Sequence, residues 1–345
     1  MKTSDFDYRL PEGRIAAYPA KPRDASRLMV LPPEGGLCHG RFRALPNHLE
    51  AGDLLVVNDS RVIRARILGS TRGGGKAEVF LLHPEADGTW AALVKPGRKL
   101  PPGRMLHLPD PGHSLEILSD LGAGKRLVRA QGLDMEAAVR RYGHIPLPPY
   151  IARKDEAGDA RRYQTIYADR GNSVAAPTAG LHFTPRVFEA LAKKGVEVVR
   201  IRLDVGAGTF KPVKAEFAED HEMEPERYEI SDAAARILDG ALKRGRRIVA
   251  VGTTVTRTLE DQMERFSDIR PGRYQTALYI RPGFRFRALS GLVTNFHLPR
   301  STLLMLVSAF AGRSRILGAY EEAIRKGYRF YSFGDAMLLW RPNAD

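Results

Sequence analysis

Two kinds of hydrophobic pattern occur along the chain, and one gives way to the other near Arg64 and again near Tyr150. Between these positions apolar and polar residues alternate in short runs, separated by stretches rich in Gly, Pro and Asp. The runs are KAEVFLLH, TWAALVKP, RMLHL, SLEIL and KRLVRA. Alternation with a period of two is typical of half-buried strands, and short strands between frequent turns favour an antiparallel barrel or sandwich. We therefore predict a β-rich segment at 64–150, with one short helix at 134–142.

Beyond Ala160 the spacing of apolar residues becomes helical and alternates with apolar strands. PRVFEALAKK has the apolar spacing of a helix. Thr184 before it is a favoured helix N-cap, Pro185 suits the first helical position, and Gly195 is predicted to end the helix. The next run, VEVVRIRLDV, is predicted as a strand. The same alternation predicts helices at SDAAARILDGALKR, TTVTRTLEDQMERF, STLLMLVSAFAG and ILGAYEEAIRKG, and strands at RRIVAVG and YRFYSF.

A buried strand is also predicted before the β-rich segment, at DLLVVND. Helices and strands that alternate along a chain predict an α/β fold with a mostly parallel sheet. Such elements flank the β-rich segment on both sides. We therefore predict an open α/β sheet domain made of residues 1–63 and 151–345, interrupted by an inserted antiparallel β-barrel-like domain at 64–150.

Four segments of small and polar residues are predicted to lie between strands and helices. They are 175–182, 206–209, 252–254 with Arg257 nearby, and 294–297. In open α/β sheets, ligands bind at loops beyond the carboxyl ends of the strands, where bare backbone and helix N-termini are accessible. Each segment alone is more often an ordinary turn, but together they predict one pocket. The chain has no GxGxxG or GxxxxGK[ST] motif, so neither a Rossmann cofactor nor a P-loop is indicated.

The chain is strongly basic. Its 345 residues include 54 Lys and Arg against 40 Asp and Glu, a net charge of +14. This excess favours a polyanionic partner such as nucleic acid. A single cysteine, Cys38, excludes an internal disulfide framework and a multi-cysteine metal site. No apolar run is long enough for a membrane span or a signal peptide, so we expect a cytoplasmic protein with no membrane partner. We also expect a monomer.

The candidate catalytic groups are few. His182 and His297 lie in loops flanked by Gly or Pro. There an imidazole can act as base, acid or hydrogen-bond donor near neutral pH, although a structural histidine in the core is an equal alternative. His221 belongs to the acidic run 220–226. Such a run is usually a solvated face, and the alternatives are a base and a metal site. Zinc is not indicated, because His221 has no second histidine or cysteine beside it.

Two charged pairs are similarly ambiguous. Asp59 and Arg61, in VNDSRV, form an ion pair at a strand end or contact a substrate. Arg257 can bind a carboxylate through two parallel hydrogen bonds, or it can pair with Glu260 one helical turn away. The residues alone leave both questions open.

Seven segments together carry a resemblance to one protein family. In chain order they are NDSRV, YQTIYA, VAAPTAGLHFT, VGAGTF, AVGTT, TNFHLPRSTLLMLVSAFAG and YRFYSFGDAM. With FDYRLP at Phe6 they extend to Met337, and they closely resemble the S-adenosylmethionine:tRNA ribosyltransferase-isomerases of queuosine biosynthesis. The resemblance implies transfer and isomerisation of the ribosyl group of S-adenosylmethionine onto 7-aminomethyl-7-deazaguanine at the tRNA wobble position. The expected products are epoxyqueuosine tRNA, adenine and methionine.

The resemblance also implies substrates and a site. S-adenosylmethionine is expected as the ribosyl donor, with no metal or other cofactor. The anticodon stem-loop of tRNA is expected as the acceptor, served by basic stretches at 61–66, 95–104, 125–130, 153–162, 243–247 and 281–287. The candidate catalytic residues are His182, His221, His297 and Asp59. The candidate substrate-binding residues are Arg61, Ala176, Pro177, Thr178, Ala179, Gly180, Gly206, Gly208, Thr209, Gly252, Thr253, Thr254, Arg257, Thr294 and Asn295. Among the histidines we favour His182 as base or donor, since the small residues before it let a substrate approach.

Four positions depart from the pattern of the family. Asp204 and Glu224 stand where histidines are common, and Arg64 and Ala277 stand where Pro and Asp are usual. Two acids in place of two imidazoles can preserve a base with a different pKa, or they can mark a divergent or inactive protein. A catalytically silent RNA-binding protein and a transferase acting on a small nucleoside therefore stay as alternatives. Turnover of S-adenosylmethionine would exclude the first, and binding that is insensitive to salt would indicate the second.

Overall fold

A computed structural model describes residues 1–206, 208, 213 and 215–342. The strands of this part are β1 (Arg27–Leu31), β2 (Cys38–Arg41), β3 (Leu54–Asn58), β4 (Arg66–Ser70), β5 (Lys76–Pro84), β6 (Trp90–Lys95), β7 (Met105–His107), β8 (Ser114–Gly122), β9 (Lys125–Gln131), β10 (Gly143–His144), β11 (Glu197–Leu203), β12 (Glu226–Ile230), β13 (Ile248–Val251), β14 (Gly272–Thr276), β15 (Gly291–Asn295) and β16 (Ala336–Trp340). Its α-helices are α1 (Met135–Tyr142), α2 (Asp159–Arg162), α3 (Pro185–Lys193), α4 (Asp232–Lys243), α5 (Thr253–Phe266), α6 (Thr302–Ala311) and α7 (Arg313–Arg325). These strands form two separate sheets, one mixed and one antiparallel.

The mixed sheet positions the candidate site. Within the described residues, nine strands lie in the order β14-β12-β11-β3-β13-β15-β16-β1-β2. Strands β11, β3, β13 and β15 are adjacent and parallel. Their carboxyl ends, at Leu203, Asn58, Val251 and Asn295, therefore meet at one edge of the sheet.

Helices cover both faces of this sheet, which explains why its central strands are apolar without alternation. In β3, Leu54 and Val56 pack into the core that includes α4, α5, α6 and α7, whereas Leu55 and Val57 pack into the core that includes α3. All four side chains are fully buried. Each contributes about 1.5–3 kcal/mol by leaving water, so the sheet is a rigid base for the loops at its edge.

Several helices begin where the sequence predicted. The side chains of Asp134, Thr184, Ser231 and Ser301 each accept a hydrogen bond from the backbone N–H three residues further on. Such a cap satisfies an N–H group that has no partner inside the helix and is worth about 1 kcal/mol. Among the described helices, none alone is long and apolar enough to cross a membrane, and α6 with α7 meets that criterion only as a pair bent by 113°.

The inserted segment forms a closed antiparallel barrel. Its strands follow the order β4-β5-β6-β9-β8-β7, and the pairing of Ser70 with His107 joins β4 to β7. Alternate side chains such as Ile67, Val79 and Leu115 are fully buried in its core, as the period of two predicts. The predicted fold class, an open α/β sheet interrupted by an antiparallel β-barrel, is confirmed. The domain boundaries, after residues 63 and 150, stay a prediction.

One predicted strand is wrong. The segment YRFYSF, 328–333, makes one bridge, between Phe330 and Ile15, and then turns at Tyr331, whose φ is 71°. The neighbouring strand is instead β16, at Ala336–Trp340. The aromatic residues of YRFYSF alternate because they fill a cluster of rings, where Phe330 contacts Phe296 and Tyr320, and not because they belong to a sheet.

Candidate functional site

A pocket with an empty volume of about 550 Å³ lies at the carboxyl edge of the parallel strands. Its lining includes residues 176–179, 252–254 and 294–297. The last two groups directly follow β13 and continue from β15, so the parallel pairing of these strands brings them together. Three of the four segments that the sequence predicted to converge therefore do so. We call this cavity pocket A.

A second cavity, with an empty volume of about 750 Å³, adjoins pocket A, and Leu303 lines both. We call it pocket B. The fourth predicted segment reaches pocket B through Gly206 and Gly208, whereas Thr209 lies outside the described residues. The other lining residues of pocket B that bear on its chemistry are His221, Glu224, Glu226 and Arg257.

Two glycines show what the bare backbone beside pocket A is for. A Cβ at Gly180 would lie 2.0 Å from Oη of Tyr167, so no side chain fits at this position. Gly252, at the start of α5, has a φ of 93°, which other residues rarely adopt. Gly252 lines pocket A but Gly180 does not, so Gly180 serves the packing behind the wall and not the approach of a ligand.

His182 also lies behind the wall of pocket A and does not line it. Its ring is 4% exposed and stacks on Phe42, with centroids 5.0 Å apart. Nδ1 is 2.8 Å from Oγ of Ser26, and Nε2 is 3.0 Å from Nδ2 of Asn295. Because an amide nitrogen can only donate, Nε2 accepts and Nδ1 carries the proton. Burial is the main cause that lowers the pKa of His182 to about 3, which agrees with a neutral ring.

Asn295 connects His182 to the pocket. Its Oδ1 accepts a hydrogen bond from Oγ1 of Thr178 at 3.1 Å, and its Nδ2 donates to the backbone oxygen of Tyr331 at 3.2 Å. Asn295, Thr178 and Tyr331 all line pocket A. His182 therefore orients polar groups of the wall without touching the cavity, which differs from the direct role that the sequence favoured for it.

His297 is the imidazole that lines pocket A. Its Nε2 is 2.8 Å from Oγ1 of Thr294, and its backbone N–H donates to Oη of Tyr320 at 2.9 Å. Burial lowers the pKa of His297 to about 3, so the ring is neutral at pH 7. A neutral imidazole with so low a pKa can form hydrogen bonds with a ligand but is a weak general base.

Pocket B contains the third candidate histidine and a buried ion pair. His221 lines it beside Glu224, and partial burial lowers the pKa of His221, so this ring is also neutral at pH 7. Arg257 pairs through Nη2 with the carboxylate of Glu226, and both residues are buried. Glu226 also accepts a hydrogen bond from the N–H of Gly206 at 3.1 Å, so the ion pair fixes the start of the loop after β11.

The alternative that pairs Arg257 with Glu260 is wrong, because the Glu260 carboxylate accepts hydrogen bonds from the backbone N–H groups of residues 287–289.

The pairing of Asp59 with Arg61 is not formed either. Asp59 instead lies with its Oδ1 3.5 Å from Nε of Arg202, and the side chain of Arg61 is exposed. Neither Asp59 nor Arg61 lines pocket A or pocket B. Burial raises the pKa of Asp59.

The positions that depart from the family pattern are scattered. Asp204 accepts hydrogen bonds from Oγ of Ser60 at 2.5 Å and from the N–H of Asn172 at 3.0 Å, outside both pockets. Glu224 lines pocket B, while Arg64 and Ala277 are exposed. The two acids therefore do not share one cavity.

Sequence reasoning missed five lining residues of pocket A, the apolar Val205 and Leu303 and the polar Tyr150, Tyr331 and Ser332. Oη of Tyr150 is 2.5 Å from Oγ of Ser332, and the rings of Tyr150 and Tyr331 meet edge to face with centroids 3.9 Å apart. Burial raises the pKa of Tyr150 well above its usual value, so the phenol is protonated at pH 7. The three polar residues were missed because HIPLPPY was interpreted as a linker and YRFYSF as a strand.

Together these features define an α/β sheet protein with an inserted β-barrel and a polar pocket for a small ligand at the carboxyl ends of its parallel strands. A family model described as Queuosine biosynthesis protein matches residues 3–339. The chain therefore belongs to the family of queuosine biosynthesis proteins.

Several relatives match this chain over nearly its whole length. The S-adenosylmethionine:tRNA ribosyltransferase-isomerase of Moorella thermoacetica is 51% identical over 343 residues, which cover 98% of this chain and 100% of the relative. The enzyme of the same name from Anaeromyxobacter dehalogenans is 50% identical, with coverage of 99% and 100%. The crystal structure of S-adenosylmethionine tRNA ribosyltransferase from Thermotoga maritima matches with a TM-score of 0.55 and 38% identity, over 97% of this chain and 100% of that one.

Proposed function

We propose that this protein transfers and isomerises the ribosyl group of S-adenosylmethionine onto 7-aminomethyl-7-deazaguanine at the wobble position of tRNA. The products are epoxyqueuosine tRNA, adenine and methionine. The observation that carries the proposal is the identity of about half of all residues, over 98% of the chain, with a relative that bears this activity in its name. The net charge of +14 suits a polyanionic acceptor.

Pockets A and B suit a donor with two ends, a nucleoside and an amino acid. Leu303 lines both cavities, so one ligand can extend from pocket A into pocket B. Oγ1 of Thr254 and Nε of Arg257 are buried and form no hydrogen bond with any described residue, so each can bind a ligand group. Thr254 lines pocket A and Arg257 lines pocket B, so these polar groups lie on both sides of the junction.

The reaction needs positioning and one proton acceptor. The sulfonium group of the donor supplies methionine as a leaving group, so we propose that no metal or other cofactor takes part. The same positive charge acidifies the neighbouring ribose C5′–H. Holding the amine of the tRNA base close to the ribose can lower the barrier by up to about 7–11 kcal/mol.

We assign the proton acceptor to His221. Its ring is neutral at pH 7 and keeps contact with solvent, whereas His297, with a pKa lowered to about 3, has little affinity for a proton. His297 then forms hydrogen bonds with the substrate in pocket A, and His182 positions Asn295. This assignment replaces the preference for His182 that the sequence alone suggested.

One incubation tests the reaction. Purified protein is mixed with S-adenosylmethionine and an anticodon stem-loop RNA that carries the aminomethyl base, and release of adenine and methionine is measured. We expect both products in equal amounts, and none with the same RNA lacking the aminomethyl group. RNA binding without adenine release would indicate a silent protein, and adenine release without RNA would indicate another reaction.

A pair of variants tests the assignment of the base. We expect His221→Asn to abolish adenine release while donor binding, measured by calorimetry, is retained. His48→Asn is the matched control, because His48 is also partly buried but lines neither pocket. Full activity of His221→Asn would exclude this residue as the base.

Three further features belong to the proposal. The acceptor is the anticodon stem-loop of the tRNA, which presents an unpaired wobble base that can enter a pocket at a cost of a few kcal/mol. The protein acts as a monomer. It acts in the cytoplasm, where tRNA is modified.

A further inference from the structure

A basic cleft lies at the end of the barrel where β4 turns into β5. It has an empty volume of about 1000 Å³ and is lined by the turn after β4, the loop between β6 and β7, and β7 itself. The pairing of Ser70 with His107 places these three parts side by side, because it closes the barrel between β4 and β7. The cleft is thus built on a rigid seam and not on one loose loop.

Four cations line this cleft: Arg72, Arg98, Lys99 and Arg104. All four side chains are exposed, and no acidic residue is among the lining residues. Within the described part of the chain, none of the four forms an ion pair with a carboxylate. Like charges gathered without counter-charges repel one another, so the cleft favours binding of an anion from outside.

The arginines near β12 provide a contrast. They line a cavity of similar size, about 1090 Å³. However, Arg202 and Arg273 pair with Glu229, and Arg227 lies close to Glu85. Their charge is largely compensated within the protein, whereas the charge of the barrel cleft is not.

The shape of the cleft also suits a phosphate chain. A Cβ on Gly73 or on Gly103 would meet no atom within 4 Å, so the rim at these two positions is open. By contrast, a Cβ on Gly75 would lie 3.2 Å from Nζ of Lys99, so the absence of a side chain there leaves room for the lysine to lie across the turn. Backbone of this kind lets phosphate oxygens come close to the cations.

The cleft is far from the two pockets. Pro84, at the other end of β5, accepts a hydrogen bond from Arg227 of the α/β sheet at 3.2 Å. Strand β5 covers residues 76–84, eight steps of about 3.3 Å, or about 26 Å. A ligand that occupies the cleft and a pocket together must therefore be a long polyanion, and the paired stem beside an unpaired loop has this form.

We propose that the barrel cleft formed by Arg72, Arg98, Lys99 and Arg104 binds backbone phosphates of the paired stem of the tRNA substrate. The inference rests on the proposed function, since it takes tRNA as the acceptor. Contacts to phosphate carry no base sequence, so the cleft adds affinity and orientation for any stem of A-form geometry.

Neutral substitutions that keep a polar side chain test the cleft. In Arg72→Gln/Arg98→Gln/Arg104→Gln, we expect the slope of log affinity against log salt for a stem-loop RNA to become less negative by about 3, one unit for each lost phosphate contact. Binding is measured by fluorescence anisotropy between about 50 and 200 mM salt. The KM for the RNA should rise while kcat for adenine release stays the same, because the cleft lies away from both pockets.

The matched control is Arg186→Gln/Lys193→Gln/Arg236→Gln. These three cations are also exposed, lie on α3 or α4, and belong to none of the basic stretches expected to serve the tRNA. Their replacement lowers the net charge by the same amount. We expect its slope and its KM to equal those of the unchanged protein. A second control uses the single-stranded loop without its stem, whose affinity the cleft variant should not change.

The possible outcomes separate this inference from the proposed function. If the unchanged protein releases no adenine and binds no RNA, the proposed function fails. If it is active and the cleft variant keeps both slope and KM, the inference alone is wrong. Equal losses in the cleft variant and in the control variant would also overturn it, since they would reflect net charge. If the cleft variant keeps its RNA affinity but loses binding of inorganic pyrophosphate that the unchanged protein shows, the cleft binds a small phosphate compound instead.

Discussion

The two buried histidines predict a specific dependence of stability on pH. His182 and His297 are 4% and 8% exposed, and the pKa of each is lowered to about 3. Burial is the largest cause for both, because charging an imidazole in an apolar environment is unfavourable. In the unfolded chain each ring has a pKa of about 6.5.

The sign follows from this difference. Below a pH of about 6.5 the unfolded state binds a proton at each ring that the folded state does not, until the pH falls to about 3. The stability that the neutral rings contribute is therefore present above about pH 6.5 and is lost as the pH falls. Each histidine adds about 1.4 kcal/mol per pH unit to the slope of the unfolding free energy in this window.

Urea unfolding of the unchanged protein and of His297→Asn measures this slope. The chain has two tryptophans, Trp90 in the barrel and Trp340 in β16. A Trp90→Phe background leaves Trp340 as the fluorescent reporter of the mixed sheet. Between about pH 4.5 and 6 we expect the variant to have a slope smaller by about 1.4 kcal/mol per pH unit. Above about pH 7.5 the free energies of unfolding of the two proteins should depend on pH in the same way, which serves as the internal control.

The same experiment with His182→Asn should give the same change of slope. If either variant keeps the slope of the unchanged protein between about pH 4.5 and 6, that ring is protonated in the folded state. The argument from burial would then be wrong for that histidine. A change in absolute stability that is equal at every pH would show only the loss of packing or of hydrogen bonds.

Three other substitutions follow from the site. Gly252→Ala should lower the free energy of unfolding by about 1–3 kcal/mol in urea, because its φ of 93° strains any other residue, and an unchanged midpoint would contradict this. Glu226→Gln should cost about 3–5 kcal/mol in the same assay, because it leaves the buried guanidinium of Arg257 without its carboxylate; a loss below about 1 kcal/mol would show that Arg257 has another anion. Thr184→Ala should cost about 1 kcal/mol through loss of the α3 cap, and Thr184→Ser should restore most of it.

Local signals in the sequence predicted the elements well, because capping and periodicity act within a few residues. Helix α5 covers the residues TTVTRTLEDQMERF that the pattern indicated, and Thr184 caps α3 as expected. Alternation and frequent turn residues indicated an antiparallel barrel or sandwich, and the structure has the barrel. The failure at YRFYSF has the same origin, since alternation cannot distinguish a strand from a buried loop such as the one in which Phe330 packs.

Pairings between distant residues were not predictable in this way. Arg257 meets Glu226, 31 positions earlier, because β12 and α5 pack near the same edge of the sheet. The sequence offered Glu260, one helical turn away, but that carboxylate lies where backbone N–H groups satisfy it. Spacing along a helix identifies which residues can pair locally, and it contains no information on which face another strand will cover.

The histidines show the same limit within the candidate site itself. His182 and His297 both occur in short loops beside small residues, and only the bare backbone before His182 distinguished their roles in the sequence. The decisive fact is the position of Asn295, 113 residues from His182, whose amide lies between that ring and Thr178 of pocket A. Because the amide donates to Nε2, the ring can support the wall but cannot also accept a proton from a substrate. An imidazole with both nitrogens hydrogen-bonded inside the core orients its partners, and the proton acceptor must be found among groups that reach the cavity, where His221 is the candidate in contact with solvent.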